Sequence, residues 1–394
     1  MPTGNGGPLL RLGMVGLGLA GSIMAMNLRG HPRVRISAAC DLNERTLAAF
    51  ADDFGAFTTT DLDELLERND IDAVYIATPH QFHCEHAVRA AARGKHMVIE
   101  KPLALTLDEC DRIAAAGARH GVRILVGHTH SYDPAVAKMA ALIRADAFGP
   151  LRMINTWNYT NFLYRPRRPE ELDTARGGGI LFNQVPHQID TLRLLAGAPV
   201  RSVRAATGVW DTGRPTEGAC QAFLEFTNEV TATLVYSGYD YFDSDELHQW
   251  IGEGGREKPP GNWGAARRAL AGIASPQEEA ARRQAAGYGA APPAALGTGL
   301  QHQPHFGITV VSCEAGELRA SADGVYCHTA RGRQEIPLPA SYSPIPGWGE
   351  VLEELCGAVF EETPPVHDAA WGRETLRVCL ALLESGTARR EVFL

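Results

Sequence analysis

The chain has no run near the roughly 18 consecutive apolar residues that a membrane span needs, so no membrane partner is expected. Its cysteines (Cys40, Cys84, Cys110, Cys220, Cys313, Cys327, Cys356 and Cys379) include no C-x-x-C pair. That removes a zinc ribbon and a disulfide framework, and it reads as reduced, mostly buried thiols in a cytoplasmic protein. The opening MPTGNGGPLLRLGMVG lacks a basic stretch followed by an apolar run and a cleavage site, so no signal peptide is expected. Charge is not concentrated either. Lys and Arg number 37 against 46 Asp and Glu, a net −9 without long runs of one sign, which argues against a nucleic-acid or anionic-membrane partner.

What is present can build a core: 45% of the residues are hydrophobic and 21% charged. At about 150 residues per domain, 394 residues make two domains the expectation. From Leu10 to His128 short apolar strands (LRLGMVG, VRISAAC, DAVYIATP, HMVIE, RILVG) alternate with helical patterns. This alternation predicts a doubly wound, parallel α/β sheet. The remainder, 129–394, changes character, with LRMINTWNYT, VRAATGVW, ACQAFLEF, VTATLVYSGY, FGITVVSCE, GVYCHT and RQEIPLP joined by turn residues. These runs predict a large, mostly antiparallel open sheet in a second α/β domain. Residues 253–303, rich in Gly, Pro, Ala and Arg, read as an insertion or lid that borders the substrate site or an oligomer contact.

Gly16-Leu17-Gly18-Leu19-Ala20-Gly21 matches G-x-G-x-x-G between a predicted strand and a helix, with Asp41 20 residues beyond the last glycine. That context fits a dinucleotide turn, in which the pyrophosphate meets unpaired N–H groups at the positive helix end. Asp41 would accept from the adenosine ribose hydroxyls and repel a 2′-phosphate, which favours NAD over NADP. Arg45, one turn on, is the residue that would partly reverse that preference, and a helix N-cap is the alternative role for Asp41. Glu100 and Lys101 close the strand HMVIE, where an open α/β sheet presents its ligands. Desolvation there would lower the lysine pKa toward proton-relay range. The alternative is a surface Lys-Pro pair.

A second stretch, GGGILFNQVPHQID, sets three glycines before Asn183, Gln184, His187 and Asp190. In an unbroken helix Asn183, His187 and Asp190 share one face, but Pro186 either kinks that helix or marks its true start. Taken alone, His187 reads as a core histidine satisfied by Asp190.

The GLGLAG turn, Ala77–His83 (ATPHQFH), Glu100-Lys101-Pro102 and the GGG-x(7)-H segment stand in the order and spacing of the Gfo/Idh/MocA oxidoreductases, which the chain resembles over nearly its whole length. The resemblance implies a Rossmann domain at 1–128 and a substrate-binding domain at 129–394. The second domain's open sheet often forms the oligomer interface, here a homodimer or homotetramer. It also implies reversible hydride transfer with a tightly held nicotinamide cofactor and no catalytic metal. By resemblance Lys101 matches the active-site lysine and His187 the catalytic histidine. Thr78, Pro79, His80 and His83 match the loops bordering ribose and nicotinamide. The family's aspartate four residues before the histidine is here Asn183, and an amide can only hydrogen-bond where a carboxylate would also stabilise charge.

Within the family, YTNFLYRPRRPEELDTARGGG and HFGITVVSCEAGELR look most like the phthalate cis-dihydrodiol dehydrogenases. That likeness implies oxidation of a carboxylated ring cis-diol. Arg165, Arg167, Arg168 and Arg176 suit a carboxylate, since guanidinium forks bind carboxylates bidentately. Their alternative is internal pairing with Glu170, Glu171 and Asp173. Tyr159 and its aromatic neighbours would flank a ring, and His130 and Tyr132, beyond a strand end, are read as polar substrate contacts. His128, His130, His187, His302 and His305 have no recognised metal-ligand spacing. A sugar or cyclitol dehydrogenase and a non-catalytic NAD(H)-binding sensor are the competing readings.

Overall fold

The computed structural model describes residues 7–289, 302–339 and 347–394. These divide into two compact units, one comprising 7–128, 284–289 and 348–376, the other 129–283, 302–339, 347 and 377–394.

In chain order the first unit begins β1 (Leu10–Val15), α1 (Leu19–Asn27), β2 (Val34–Cys40), α2 (Glu44–Phe54), β3 (Phe57–Thr59), α3 (Leu62–Leu66) and β4 (Ala73–Ile76). It continues α4 (His83–Ala92), β5 (His96–Glu100), α5 (Leu107–His120) and β6 (Ile124–Gly127). All its strand pairs are parallel, in the order β3-β2-β1-β4-β5-β6. Every residue of β4 and β6 is buried, as expected for strands covered on both faces. The order reverses between β1 and β4, so the loops after these two strands flank the switch point where such sheets bind ligands. Local chemistry sets the helix ends: Asn43 caps α2, and Thr106 with Glu109 forms a capping box on α5.

The second unit holds α6 (Pro134–Arg144), β7 (Leu151–Tyr159), α7 (Ile180–Asn183), α8 (Val185–Ala196), β8 (Val200–Gly208), β9 (Ala219–Phe226) and β10 (Thr231–Ser237). After α9 (Ala265–Ala271) and α10 (Pro276–Ala285) come β11 (Ile308–Cys313), β12 (Gly316–Ala320), β13 (Gly324–Thr329) and β14 (Gly332–Pro337). The chain closes with α11 (Trp348–Phe360), α12 (Ala369–Ala388) and β15 (Val392–Phe393). The sheet runs β14-β13-β12-β11-β7-β10-β9-β8-β15 and is antiparallel except between β7 and β10. One face is sealed by α6, α8 and the second half of α12. Met139, Ile189, Leu192 and Leu382 there meet Leu224, Leu234 and Tyr236 of the sheet.

Residues 348–376, read from the sequence as part of the second domain, belong with the first unit. Their contacts are long-range and leave no local pattern: α11 packs on β5 and β6, the Val126 amide donates to the His367 carbonyl, and Arg33 pairs with Glu353 and Glu361. The 253–303 segment divides as well. Residues 253–283 lie in the second unit and 284–289 in the first, while 290–301 are outside the described residues.

Candidate active site

In the first unit the glycine turn has the shape a dinucleotide needs. A Cβ on Gly21 would stand 2.1 Å from the Gly16 carbonyl oxygen, and one on Gly16, at φ +92°, 2.8 Å from that of Ala77, so the turn closes only with glycine. Gly18 differs: nothing lies within 4 Å of its would-be Cβ, and no side chain caps the α1 N-terminus there. An uncapped helix end beside open space is where a pyrophosphate fits. Asp41 braces the turn, its carboxylate accepting from the Leu17 amide at 2.7 Å and the Asn43 amide at 2.9 Å. It remains partly exposed, with lone pairs left for ribose hydroxyls. The N-cap role falls to Asn43 instead. Leu19 and Ala20 open α1.

The loops after β4 and β5 are tied together by His83. Its ring, wholly buried, lies 2.9 Å from the Pro102 carbonyl through Nδ1 and 2.9 Å from the Thr78 carbonyl through Nε2. Burial pulls its pKa down to about 4 against the pull of those two carbonyls. His83, expected beside the cofactor, has its side chain wholly buried and braces these two loops. Glu100 is similar. Buried, it accepts from the Tyr75 hydroxyl and, at 3.2 Å, from the Lys101 amide, which orients the lysine's backbone. Lys101, Thr78, Pro79 and His80 keep partial exposure along these two loops, and the Lys101–Pro102 peptide is cis.

In the second unit Pro186 lies in the first turn of α8, and a break at Gln184 separates that helix from α7. Asn183 and His187 thus sit on different helices. The Asn183 amide donates to the carbonyls of Gly177 at 3.2 Å and Gly179 at 2.7 Å, closing the glycine turn before it. That turn is crowded by the protein itself, since a Cβ on Gly179 would meet Thr216 Oγ1 at 2.3 Å. His187 is 7% exposed and packed edge-to-face with His130, ring centroids 4.6 Å apart, with Phe306 at 5.0 Å. Gln184 Oε1 accepts from the Tyr236 hydroxyl at 3.3 Å. Asp190, also on α8, is fully buried.

Both ring nitrogens of His130, expected as a polar substrate contact, have partners within the protein. Nδ1 is 2.9 Å from Asp133 and Nε2 3.1 Å from Glu253. Burial alone would lower its pKa, but the two carboxylates on its nitrogens raise it and favour the imidazolium, while burial in turn raises Asp133. Glu253 in turn is held down to about 2, the His130 bond outweighing its crowded surroundings. Tyr132 begins near this cluster in sequence and is partly exposed, while the Tyr159 ring meets Phe242 at 5.5 Å.

The arginine stretch splits. Arg167 and Arg168 pair with Glu171, and Arg168 also with Glu170, the internal pairing that the sequence left open. Arg165 takes no carboxylate partner among the described residues, and its Nε donates to the Asn161 side-chain oxygen at 2.8 Å. Sequence reasoning missed Phe306, which packs on His187, Asp133 and Glu253, which hold His130 beside it, and Tyr236, which packs on Phe306; the tertiary fold alone brings them together. The cluster beside His187 is thus the His130 ring held between two carboxylates, Asp133 buried and Glu253 half-exposed.

Comparison with known proteins follows the same division. Residues 10–128 match the oxidoreductase family with an NAD-binding Rossmann fold, and residues 136–256 match the GFO/IDH/MocA C-terminal domain. The chain is 39% identical over 381 residues to the 1-carboxy-3-chloro-3,4-dihydroxycyclohexa-1,5-diene dehydrogenase of Comamonas testosteroni, covering 96% of this chain and 95% of that one. It superposes with a TM-score of 0.92 on a candidate dehydrogenase from Bordetella bronchiseptica RB50, 45% identical, covering 98% of this chain and 100% of the other. The fold is also that of the aldose-aldose oxidoreductase of Caulobacter crescentus (TM-score 0.72, 20% identity, covering 98% and 100% of the two chains).

Proposed function

The chain belongs to the Gfo/Idh/MocA oxidoreductase family and carries its NAD-binding Rossmann domain, and from that premise we propose that it oxidises a carboxylated cyclohexadiene cis-diol to the corresponding catechol. The observation that carries this reading is Arg165, which takes no carboxylate partner among the described residues and whose charge helps to keep Glu253 ionised, while Arg167 and Arg168 are paired with Glu171. A guanidinium fork so placed would take the substrate carboxylate. The Comamonas testosteroni relative, whose name specifies a carboxylated dihydroxycyclohexadiene, supports the same substrate class.

Gly16, Gly18 and Gly21 with the α1 N-terminus would hold the pyrophosphate, and Asp41 the ribose, favouring NAD. When bound, the nicotinamide supplies the acceptor for the hydride that leaves the carbinol carbon. On the family's pattern, Lys101 and His187 are the residues that would take the hydroxyl proton as the C–O bond becomes a carbonyl. The hydroxy-ketone then shifts its ring proton to oxygen and becomes aromatic, so diol plus NAD⁺ gives catechol, NADH and one proton. His83 fixes the two loops on the Lys101 side, and the His130 imidazolium fixes the ring plane of His187.

A second copy of the chain is the partner this reading adds. Met153 and Trp157 on β7 and Phe223 on β9 lie 42%, 40% and 47% exposed on one face of the nine-stranded sheet, a surface suited to self-association. The test of function is a panel of ring cis-diols, cyclitols, sugars and hydroxy acids assayed at 340 nm with NAD⁺ and with NADP⁺. Turnover confined to carboxylated cis-diols is expected, and preference for a polyol would favour the cyclitol reading. Absence of reduction with every alcohol would favour the sensor.

A further inference from the structure

We propose that Glu253 is the residue that selects a vicinal diol, its carboxylate accepting a hydrogen bond from the substrate hydroxyl next to the one being oxidised; this deepens the dehydrogenase reading above and rests on it. Glu253 stands on a tight turn closed by the Ile251–Glu257 bridge and by the Gly252 amide donating to the Arg256 carbonyl at 2.7 Å. Two consecutive non-glycine residues just before it, Gln249 at φ +61° and Trp250 at φ +60°, adopt left-handed backbone. Such conformations cost free energy and persist where the surrounding structure dictates a direction. Here the Trp250 amide donates to the Asp245 carbonyl and its carbonyl accepts from Lys258, both at 2.7 Å, while the Glu253 carbonyl accepts from His305 at 3.2 Å.

The turn delivers the Glu253 carboxylate to the edge of the His187 cluster. Oε1 accepts from His130, whose ring touches His187, so one imidazole separates the carboxylate from the catalytic candidate. Yet the Glu253 side chain remains 46% exposed, and no described residue donates to Oε2. The charge on Glu253 is balanced by the His130 imidazolium and by Arg165, and the acid stays ionised at working pH. An ionised carboxylate is acceptor-only, and with one oxygen anchored on His130 it can take a donor at the other. Among small polar groups that donor is a hydroxyl. With Arg165 reserved for the substrate carboxylate, Glu253 is left to read the second hydroxyl.

The alternative is that Glu253 only positions His130, and the test must separate the two. The Glu253→Gln variant keeps shape and the oxygen facing His130 but turns a donor toward the substrate. Its kinetics would be compared on cis-3,4-dihydroxycyclohex-1-ene-1-carboxylate and on the two mono-hydroxy analogues that each lack one hydroxyl. We expect kcat/KM on the diol to fall roughly 10- to 100-fold, chiefly through KM, with less than about a 3-fold change on whichever mono-alcohol is oxidised. Glu253→Asp, which keeps the charge but withdraws it, should also lose diol preference, and unchanged thermal midpoints would confirm folding. Equal losses on diol and mono-alcohol would overturn the inference in favour of a positioning role, and no loss on either would overturn both roles. An unaltered enzyme that oxidises none of these probes, nor any alcohol of the panel, would overturn the dehydrogenase reading itself, a result distinguishable from failure of Glu253 alone.

Discussion

A methyl group on Gly18 and one on Gly21 should act on different species, and the difference tests how the glycine turn works. The Gly18 backbone, at φ −63° and ψ −164°, is open to any L-residue, and its Cβ would meet nothing within 4 Å. Gly18→Ala should therefore fold with less than about 1 kcal/mol of lost stability, since no atom must move. The space it fills is the space we assign to the pyrophosphate. NAD⁺ affinity should fall by roughly 10- to 100-fold, or about 1.4–2.7 kcal/mol. Gly21→Ala places its Cβ 2.1 Å from the Gly16 carbonyl, over an ångström inside ordinary contact, and that neighbour is backbone. The whole turn must shift, so this variant should lose about 1–3 kcal/mol of stability as well as affinity. Isothermal titration with NAD⁺ alongside chemical denaturation reads both quantities. Wild-type NAD⁺ affinity in Gly18→Ala would refute the placement of the pyrophosphate.

The remaining expectations follow from the two loop clamps and the charged wall. Because the folded-state pKa of His83 lies near 4 against an ordinary 6.5, its contribution is fully present above 6.5 and is lost as pH falls toward 4. That amounts to about 2–3 kcal/mol by pH 4.5. Urea denaturation at pH 7 and 4.5 should show a shallower acid loss in His83→Gln, and parallel losses would contradict it. Arg165→Gln should lower kcat/KM for a carboxylated cis-diol by roughly 10- to 100-fold and leave the uncarboxylated diol within about 3-fold. Steady-state assays on the pair decide it, equal losses counting against a carboxylate contact. Lys101→Met and His187→Asn should each cut kcat by roughly 10²- to 10⁴-fold with NAD⁺ affinity unchanged, and a full-rate variant would remove that residue from the proton path.

Much of the first unit is legible in the sequence because its signals are local. Buried parallel strands appear as short apolar runs, and the glycine turn, Asp41 and Lys101 fall at strand ends where the topology puts ligands. β3 and β15, three and two residues long, are too short to leave a period. The clamp roles of His83 and Glu100 were hidden, because exposure to a ligand and burial behind a loop look alike in a motif. Pro186 announced a break in the helical pattern, and the structure places it at the start of α8, which parts Asn183 from His187. Least legible was the wall around His187. His130 and Glu253 are 123 residues apart and meet only when the turn after Trp250 folds back, so no spacing rule links them. A run of left-handed residues without glycine leaves no trace in the letters.

The central claim, that this chain moves a hydride from a carboxylated cis-diol to NAD⁺, is tested most directly by isotope. With the diol deuterated at the carbinol carbons, mass spectrometry of the cofactor after turnover should show one deuterium per reduced nicotinamide, formed in step with the catechol. Reduced cofactor without deuterium, or no reduced cofactor with any ring cis-diol, would contradict the account.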